Sequence, residues 1–527
     1  MMRGVRLLSF ALLALAVGCR VDCSPRDGGG RANVVLVTID TLRADHVGCY
    51  GSTTVRTPHL DRLAAEGVQF VEARAQAPVT VPSHLSILSS LSLAEHGVLH
   101  NAGTPPRPVA ILPGLFVEAG YRTAAFVSAK HLGPEGPLAS LFHGLERYSA
   151  PQQISVPFRA AETNTRFFRW LRGACRQPFF AWLHYWDPHM PYVPPAPYDR
   201  AYYAGDPRDP RHGGAIDPPL GWFLYDLGGV RALLKQHAGD VRDLKRELGL
   251  SSRGVRRLVI HRAGLDGRGS DPGLRARVAD LGGAIRRGLP YRRDLADWLT
   301  GVRDPRFPAS QYAGEVSYVD QEIGALRAEI ERLGLASRTI LLVTADHGES
   351  LGEHGVWFDH AGLYEQSLRV PLIVWAPGHV SAARRTDPAT GLDVAPTLLR
   401  LAGLDVPPAM RGRDLFGPAP AAGAVVAEGA RATQAMLIDG RWKLIRTLQT
   451  FYYTDAFARD AGTLELYDVR SDREERDDVA AREPAVVARL AAALEAWREA
   501  HATPAPVVPA SIPPERVRDL RALGYAE

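Results

Sequence analysis

Acidic, hydroxyl and imidazole side chains gather at a few places in this chain, and their types suit metal-assisted attack on an ester. Asp40 ends the run ANVVLVTID, Asp346 and His347 end RTILLVTADHG, and His184, Asp187 and His189 stand together in FAWLHYWDPHM. Residues 80 to 84 read Thr-Val-Pro-Ser-His, and His360 opens HAGLYEQS. Carboxylates and neutral imidazoles are ligands of divalent cations, and a bound cation activates a hydroxyl that is otherwise a weak nucleophile. Taken singly, each residue has a plainer reading: Asp40 as a helix cap, Thr80 as a turn residue before Pro82, His189 as a loop histidine satisfied by backbone. Taken together they point to one crevice.

The elements around them are of a kind that builds such a crevice. ANVVLVTID is an apolar, β-branched run of the length of a buried parallel strand. PVAILPGLFVEAGYRTAAFVSA, RQPFFAWLHYWD, RTILLVTADHG and VPLIVWAPG are read as further strands, alternating with helical stretches such as TPHLDRLAAEG and YVDQEIGALRAEIERLG. That alternation predicts a doubly wound α/β sheet. Ligands of such sheets bind outside the carboxyl ends of the strands, where Asp40, His184 with Asp187, and Asp346 with His347 all fall. His84, three or four residues past Thr80 on an incipient helix, is expected to face the oxyanion of the attacked ester or else to cap that turn.

Composition is that of an ordinary globular enzyme. The 527 residues are 46% hydrophobic, enough for a large core and for more than one domain. A formal net charge of +4, spread along the chain without a nucleic-acid-reading motif, excludes nucleic acid as an expected partner. Four cysteines, Cys19, Cys23, Cys49 and Cys175, are too few and too scattered to predict a disulfide framework or a zinc knuckle.

At the amino terminus Arg3 and Arg6 precede LLSFALLALAV, a secretory apolar region too short to span a bilayer as a mature helix. Ala16-Val17-Gly18-Cys19 follows and resembles a bacterial lipobox, so Cys19 is expected to become the lipidated amino-terminal residue in the cell envelope, outside the cytoplasm. An ordinary cleaved signal, giving a periplasmic or secreted protein, is the alternative. Residues 20–31 read as a flexible tether.

From about residue 33 to 415 the chain resembles the sulfatase branch of the alkaline phosphatase superfamily. NVVLVTIDTLRADHVGCYG, TVPSH followed by HGV, YAGEVSYVDQEIG, TADHGESLGEHG and LYEQSLRVPLIVWAPG come in the order and spacing of that family. RWKLIRT, LELYDVRSDREERDD and LRALGY resemble its smaller second domain and tail. The resemblance implies a doubly wound mixed sheet with a smaller carboxyl-terminal α+β subdomain. The expected layout is a lipoprotein signal at 1–19, a tether at 20–31, a catalytic domain at 32–420 with an Arg-rich insertion near 205–305, a subdomain at 421–500 and a tail at 501–527.

The pocket departs from the sulfatase pattern. Sulfatases place Cys or Ser at the position of Thr80, oxidised to formylglycine, and Arg at the position of His84; Thr is not a substrate for that oxidation. They carry a second Asp where this chain has Thr41, and a Lys where it has His360. Lys130-His131 resembles their sulfate-contacting Lys and His, with an exposed loop as an equal reading. Fewer carboxylates and more imidazoles move the expected metal from calcium, which stays possible in principle, towards zinc or manganese. By resemblance to the zinc-dependent phosphodiesterase branch, Asp40, Thr80, Asp346 and His347 would hold one ion, and Asp187, His189 and His360 a second. The catalytic set is then Thr80, His84, His189 and His360. The expected substrate is a small anionic ester, free or linked to a lipid or glycan, with a phosphoester favoured over a sulfate ester. The alternatives are a true sulfuric ester hydrolase and a non-catalytic lipid-anchored binding protein.

Overall fold

The computed structural model describes residue 23 and residues 30–152, 157–212, 242, 299, 301–418, 424–452 and 457–501. The lipobox, nearly all of the 205–305 insertion and the tail beyond His501 lie outside the described residues.

Eight strands form the main sheet: Asn33–Ile39 (β1), Val68–Phe70 (β2), Arg122–Val127 (β3), Arg147–Ser149 (β4), Phe179–Tyr185 (β5), Thr339–Ala345 (β6), Leu372–Trp375 (β7) and Ala383–Arg385 (β8). Their spatial order is β8-β2-β7-β6-β1-β5-β3-β4. β7 alone runs antiparallel to both neighbours, so the sheet is mixed. β1, β5 and β6 are buried along their whole length, which is why they read as unbroken apolar runs rather than as alternating ones.

Helices cover the faces: Pro58–Glu66 (α1), Thr80–Ser89 (α2), Leu112–Glu118 (α3), Ala160–Ala174 (α4), Arg306–Arg332 (α5) and Val394–Leu401 (α6). TPHLDRLAAEG and YVDQEIGALRAEIERLG are helical as expected, within α1 and α5. PVAILPGLFVEAGYRTAAFVSA is not one strand. Its first half folds into α3 with Pro113 in the first turn, where a missing N–H costs nothing, and only Arg122–Val127 extends.

Beyond the main sheet, Val425–Glu428 (β9), Gln434–Asp439 (β10), Trp442–Thr447 (β11) and Leu464–Asp468 (β12) form an antiparallel sheet in that order. Pro484–His501 (α7) packs Leu490 and Leu494 against Leu437, Leu444 and Leu466. A buried ion network ties this layer to the main domain. Lys443 Nζ lies 3.0 Å from Glu365 and 2.8 Å from Glu475, while Arg74 holds the other Glu365 oxygen at 2.8 Å.

Two of the four cysteines are paired, a single bond that falls short of a disulfide framework. Cys23 and Cys175, 152 residues apart, form a disulfide. Cys23 lies within the stretch read as tether, so that stretch is fastened to the domain at one point. Spacing could not reveal the pair, because the two residues meet only after β1 has paired with β5 and α4 has packed on β5.

Candidate functional site

Strand register builds the centre of the site. Ile39 pairs with Ala345 on one side and with Tyr185 on the other, so Asp40 and Asp346 leave the carboxyl edge side by side. Thr38 pairs with His184, which puts that imidazole on the neighbouring strand, with Nε2 3.4 Å from Asp40 Oδ2. His347 follows Asp346, its Nε2 3.8 Å from Asp40 and 3.5 Å from Asp346 Oδ2.

Backbone groups aim the acids. Asp346 Oδ1 accepts from the amides of His347 at 2.8 Å and Thr41 at 3.3 Å, which leaves Oδ2 for the crevice. Thr41 has φ of 56°, a costly conformation for a β-branched residue, and Tyr312 fixes it by donating to its carbonyl at 2.7 Å. Gly348 lets the loop after β6 close on residues 366–367, since a Cβ there would sit 2.0 Å from the Gln366 carbonyl oxygen.

The atoms left over are of a kind that could hold a cation. Both oxygens of Asp40, Oδ2 of Asp346, Nε2 of His347 and both ring nitrogens of His184 are buried without a hydrogen-bond partner among the described residues. Buried polar atoms are otherwise nearly always paired. Burial pushes the Asp40 and Asp346 carboxyls well above the usual carboxylate range, and Asp40 adds to the shift of Asp346. A cation held by Asp40, Asp346 and His347 would offset that penalty and partner their free atoms, while His184 could offer it one ring nitrogen at most. Asp40, Asp346 and His347 carry ligand atoms within 4.8 Å of one another.

A second set, His84, His184 and Asp346, meets the same distance criterion. His84 is otherwise engaged. Its Nε2 lies 2.9 Å from Thr38 Oγ1, which also accepts from Trp182 Nε1, and its Nδ1 lies 2.7 Å from the Thr80 carbonyl. Thr38 therefore donates to Nε2, and Nδ1–H donates to Thr80. With both nitrogens occupied beneath α2, His84 does not face an oxyanion as expected; it braces the turn that carries Thr80.

α2 begins at Thr80, with Pro82 in the first turn and Val81 N held by Asn101 at 2.8 Å. Ser83 donates to the Asp346 carbonyl at 2.5 Å, so the helix amino end is fastened to the acid pair. Across from it stand three more imidazoles. His347, His360 and His189 each place Nδ1 against a backbone carbonyl, of Gly348 at 2.9 Å, Pro78 at 2.6 Å and Met190 at 2.7 Å. Such bonds fix the tautomer and leave Nε2 for a ligand or a proton. The His347 and His360 rings are 4.3 Å apart, and those of His360 and His189 are 6.2 Å apart. Burial lowers the pKa of His184 and His189 to about 3 and that of His347 well below its ordinary value, so these rings are neutral at neutral pH.

Asp187 departs from its expected place. One oxygen pairs with Arg159 and the other accepts from Ala160 N at 2.9 Å, at the start of α4, so it caps a helix and binds a guanidinium instead of joining the imidazoles. Two residues beside the site escaped the reading of its ligands. His184 was seen only as a strand-end residue, and its signal is the parallel register that sets it beside Thr38. Glu349, fully buried with Oε2 accepting from Tyr192 at 2.9 Å and Oε1 unpartnered, gave no signal beyond its place in TADHGE. His131 is buried on a short helical turn 6.2 Å from Trp186, while Lys130 lies near Glu135. The 960 Å³ cavity between the two sheets, lined by Arg74, Arg413 and Trp497 among others, contains none of the residues above.

An acid pair, an imidazole wall and a hydroxyl at a helix amino end, set at the carboxyl edge of a mixed sheet, define a metal-dependent ester hydrolase. Residues 32–404 match the sulfatase family profile, and the chain belongs to that family. It is 26% identical over 445 residues to the N-acetylglucosamine-6-O-sulfatase of Bacteroides thetaiotaomicron, covering 77% of this chain and 74% of that one. With the steryl-sulfatase of Rattus norvegicus it shares 28% over 445 residues, covering 75% and 71%. The fold is also that of the phosphonate monoester hydrolase of Agrobacterium radiobacter, with a TM-score of 0.59 at 21% identity over 89% of this chain and 96% of that one. It is an ester hydrolase of sulfatase type.

Proposed function

We propose that this enzyme hydrolyses phosphoesters in preference to sulfate esters, with Thr80 as its nucleophile. The observation that carries the proposal is Thr80 itself: the position at the head of α2 holds a hydroxyl that cannot be converted to formylglycine, in a site where imidazoles stand beside the two carboxylates. Asp40, Asp346 and His347, with Thr80 next to them, would hold one divalent cation. The mixture of nitrogen and oxygen donors favours zinc or manganese over calcium. When bound, the cation supplies Lewis acidity to the nucleophile and to the nonbridging oxygens.

The chain's own groups do the rest. His360, tied through Nδ1 to Pro78 two residues before Thr80, takes the Thr80 proton at Nε2 as Oγ1 attacks phosphorus in line. The amino end of α2 presents its partial positive charge to the developing oxyanion. The alcohol departs on the side of phosphorus opposite Thr80 and takes its proton from water; a water then attacks from that side, and His360 returns its proton to Thr80 as the phosphoryl bond breaks. His360 carries this role because it is tied to Pro78 and its side chain is 17% exposed, while His189 is buried and held neutral. His189, whose Nε2 carries a lone pair, serves as a ligand to a second ion.

The test is turnover of an activated phosphate monoester, phosphodiester and sulfate ester by wild type and Thr80→Ala. Loss of phosphoester turnover in a folded variant is expected; unchanged turnover sinks the mechanism. Faster cleavage of the sulfate ester than of every phosphate ester would establish a sulfuric ester hydrolase instead.

We also propose that Cys19 is lipidated and holds the enzyme to the outer side of a bacterial membrane. Among the described residues no helix is long and apolar enough to cross a membrane. The Cys23–Cys175 disulfide supports an oxidising compartment. Flotation with membranes, lost on Cys19→Ser, is the expected result.

A further inference from the structure

We infer that the amino-terminal edge of the main sheet is the membrane-facing side of the anchored enzyme, so that the catalytic crevice opens away from the bilayer and takes esters from the medium. The inference rests on the Cys19 anchor proposed above. Three residues, Arg20 to Asp22, separate Cys19 from Cys23. Cys23 is 7% exposed and bonded to Cys175, and Arg338 donates to the carbonyls of both cysteines. Four chain steps reach at most about 14 Å. The lipid is thereby held close to Cys175.

Cys175 lies at an identifiable end of the molecule. It closes α4 shortly before the amino end of β5, Arg338 immediately precedes the amino end of β6, and Asn33 starts β1 close by. Asp40, Asp346 and His347 follow the opposite, carboxyl ends of β1 and β6. Seven residues of strand at about 3.3 Å each separate the two edges by roughly 23 Å. A clamp at one edge and a site at the other fix which way the site looks.

Charge on the clamped edge fits a bilayer surface. Arg31, Arg169, Arg172, Arg176 and Arg332 are exposed there, against the exposed Glu118 and Glu331 and against Glu329, which Arg172 and Arg332 share, so positive charge is in excess. An anionic membrane surface attracts such arginines. The occupant of this edge is the anchoring bilayer itself, and a substrate embedded in that bilayer lies on the wrong side of the enzyme.

The test uses the full lipidated chain in phosphatidylethanolamine–phosphatidylglycerol vesicles carrying a headgroup nitroxide quencher. A fluorescent amino acid replaces either Gly173, where an added Cβ meets nothing within 4 Å, or Val193, which is 51% exposed in the loop beyond the carboxyl end of β5. Quenching several-fold stronger at 173 than at 193 is expected. A Gly-Ser insert of about 30 residues between Val21 and Asp22 lengthens the tether to roughly 30 Å, leaves the disulfide intact, and should shrink that difference. Equal or stronger quenching at 193, or no effect of the insert, overturns the orientation in a chain that floats with the vesicles. A chain that does not float overturns the anchor and the orientation with it.

Discussion

Asp40→Asn should move stability in opposite directions with and without metal. Asp40 keeps both oxygens unpartnered, 3.4 Å from His184 and 3.8 Å from His347, and shares complete burial with Asp346. In the metal-loaded enzyme the substitution removes a charged ligand from a buried ion pair, a loss of about 3–5 kcal/mol. Metal affinity should therefore fall roughly 10²- to 4 × 10³-fold. In the metal-free enzyme the same substitution removes one of two buried acids whose ionisation burial opposes, and an amide of the same shape relieves roughly 1–3 kcal/mol. For a domain of this size that raises Tm by roughly 1–4 °C. The assay is a pair of melting curves, one after chelation and one with saturating zinc or manganese, together with calorimetric metal titration. A variant that melts below wild type by the same amount in both conditions, with unchanged metal affinity, would show that Asp40 is an ordinary buried acid and that the cation lies elsewhere.

Asp187→Asn should lower stability by about 2 kcal/mol through its Arg159 pair and the amino end of α4, with metal content unchanged; metal lost in proportion would return Asp187 to the ligand set. Glu475, pushed up to about 7 by burial and by Glu365 despite Lys443, favours its protonated form in the folded state. Its contribution to stability is therefore complete below the unfolded value near 4.5 and is lost as pH rises through about 7. Glu475→Gln should flatten the fall in Tm across that window, and an unaltered slope would refute the assignment.

Much of this architecture was written in local pattern. Apolar β-branched runs ending in Asp40, in HYWD and in TADH announce buried parallel strands with polar residues at their carboxyl ends, because a strand buried on both faces leaves no polar position except at its end. The family resemblance added the order of the blocks, and Thr80 in place of Cys or Ser marked the nucleophile position as unusual without any structure. The stretches TPHLDRLAAEG and YVDQEIGALRAEIERLG were legible as helices for the same reason, since their apolar spacing is local, while the first half of α5 was not.

What only the tertiary structure decided was which polar atoms remain unused. His84 and Asp187 have the right residue types, yet the first is spent on Thr38 and Thr80 and the second on Arg159 and α4. His184 joins the acids through register with a strand about 145 residues earlier in the chain. Cys23 meets Cys175 across 152 residues. Residue type sets what chemistry a side chain can do, and sequence carries that directly. Hydrogen-bond partners, disulfide partners and burial are pairwise properties of residues far apart in the chain, and they exist only once the strands have docked.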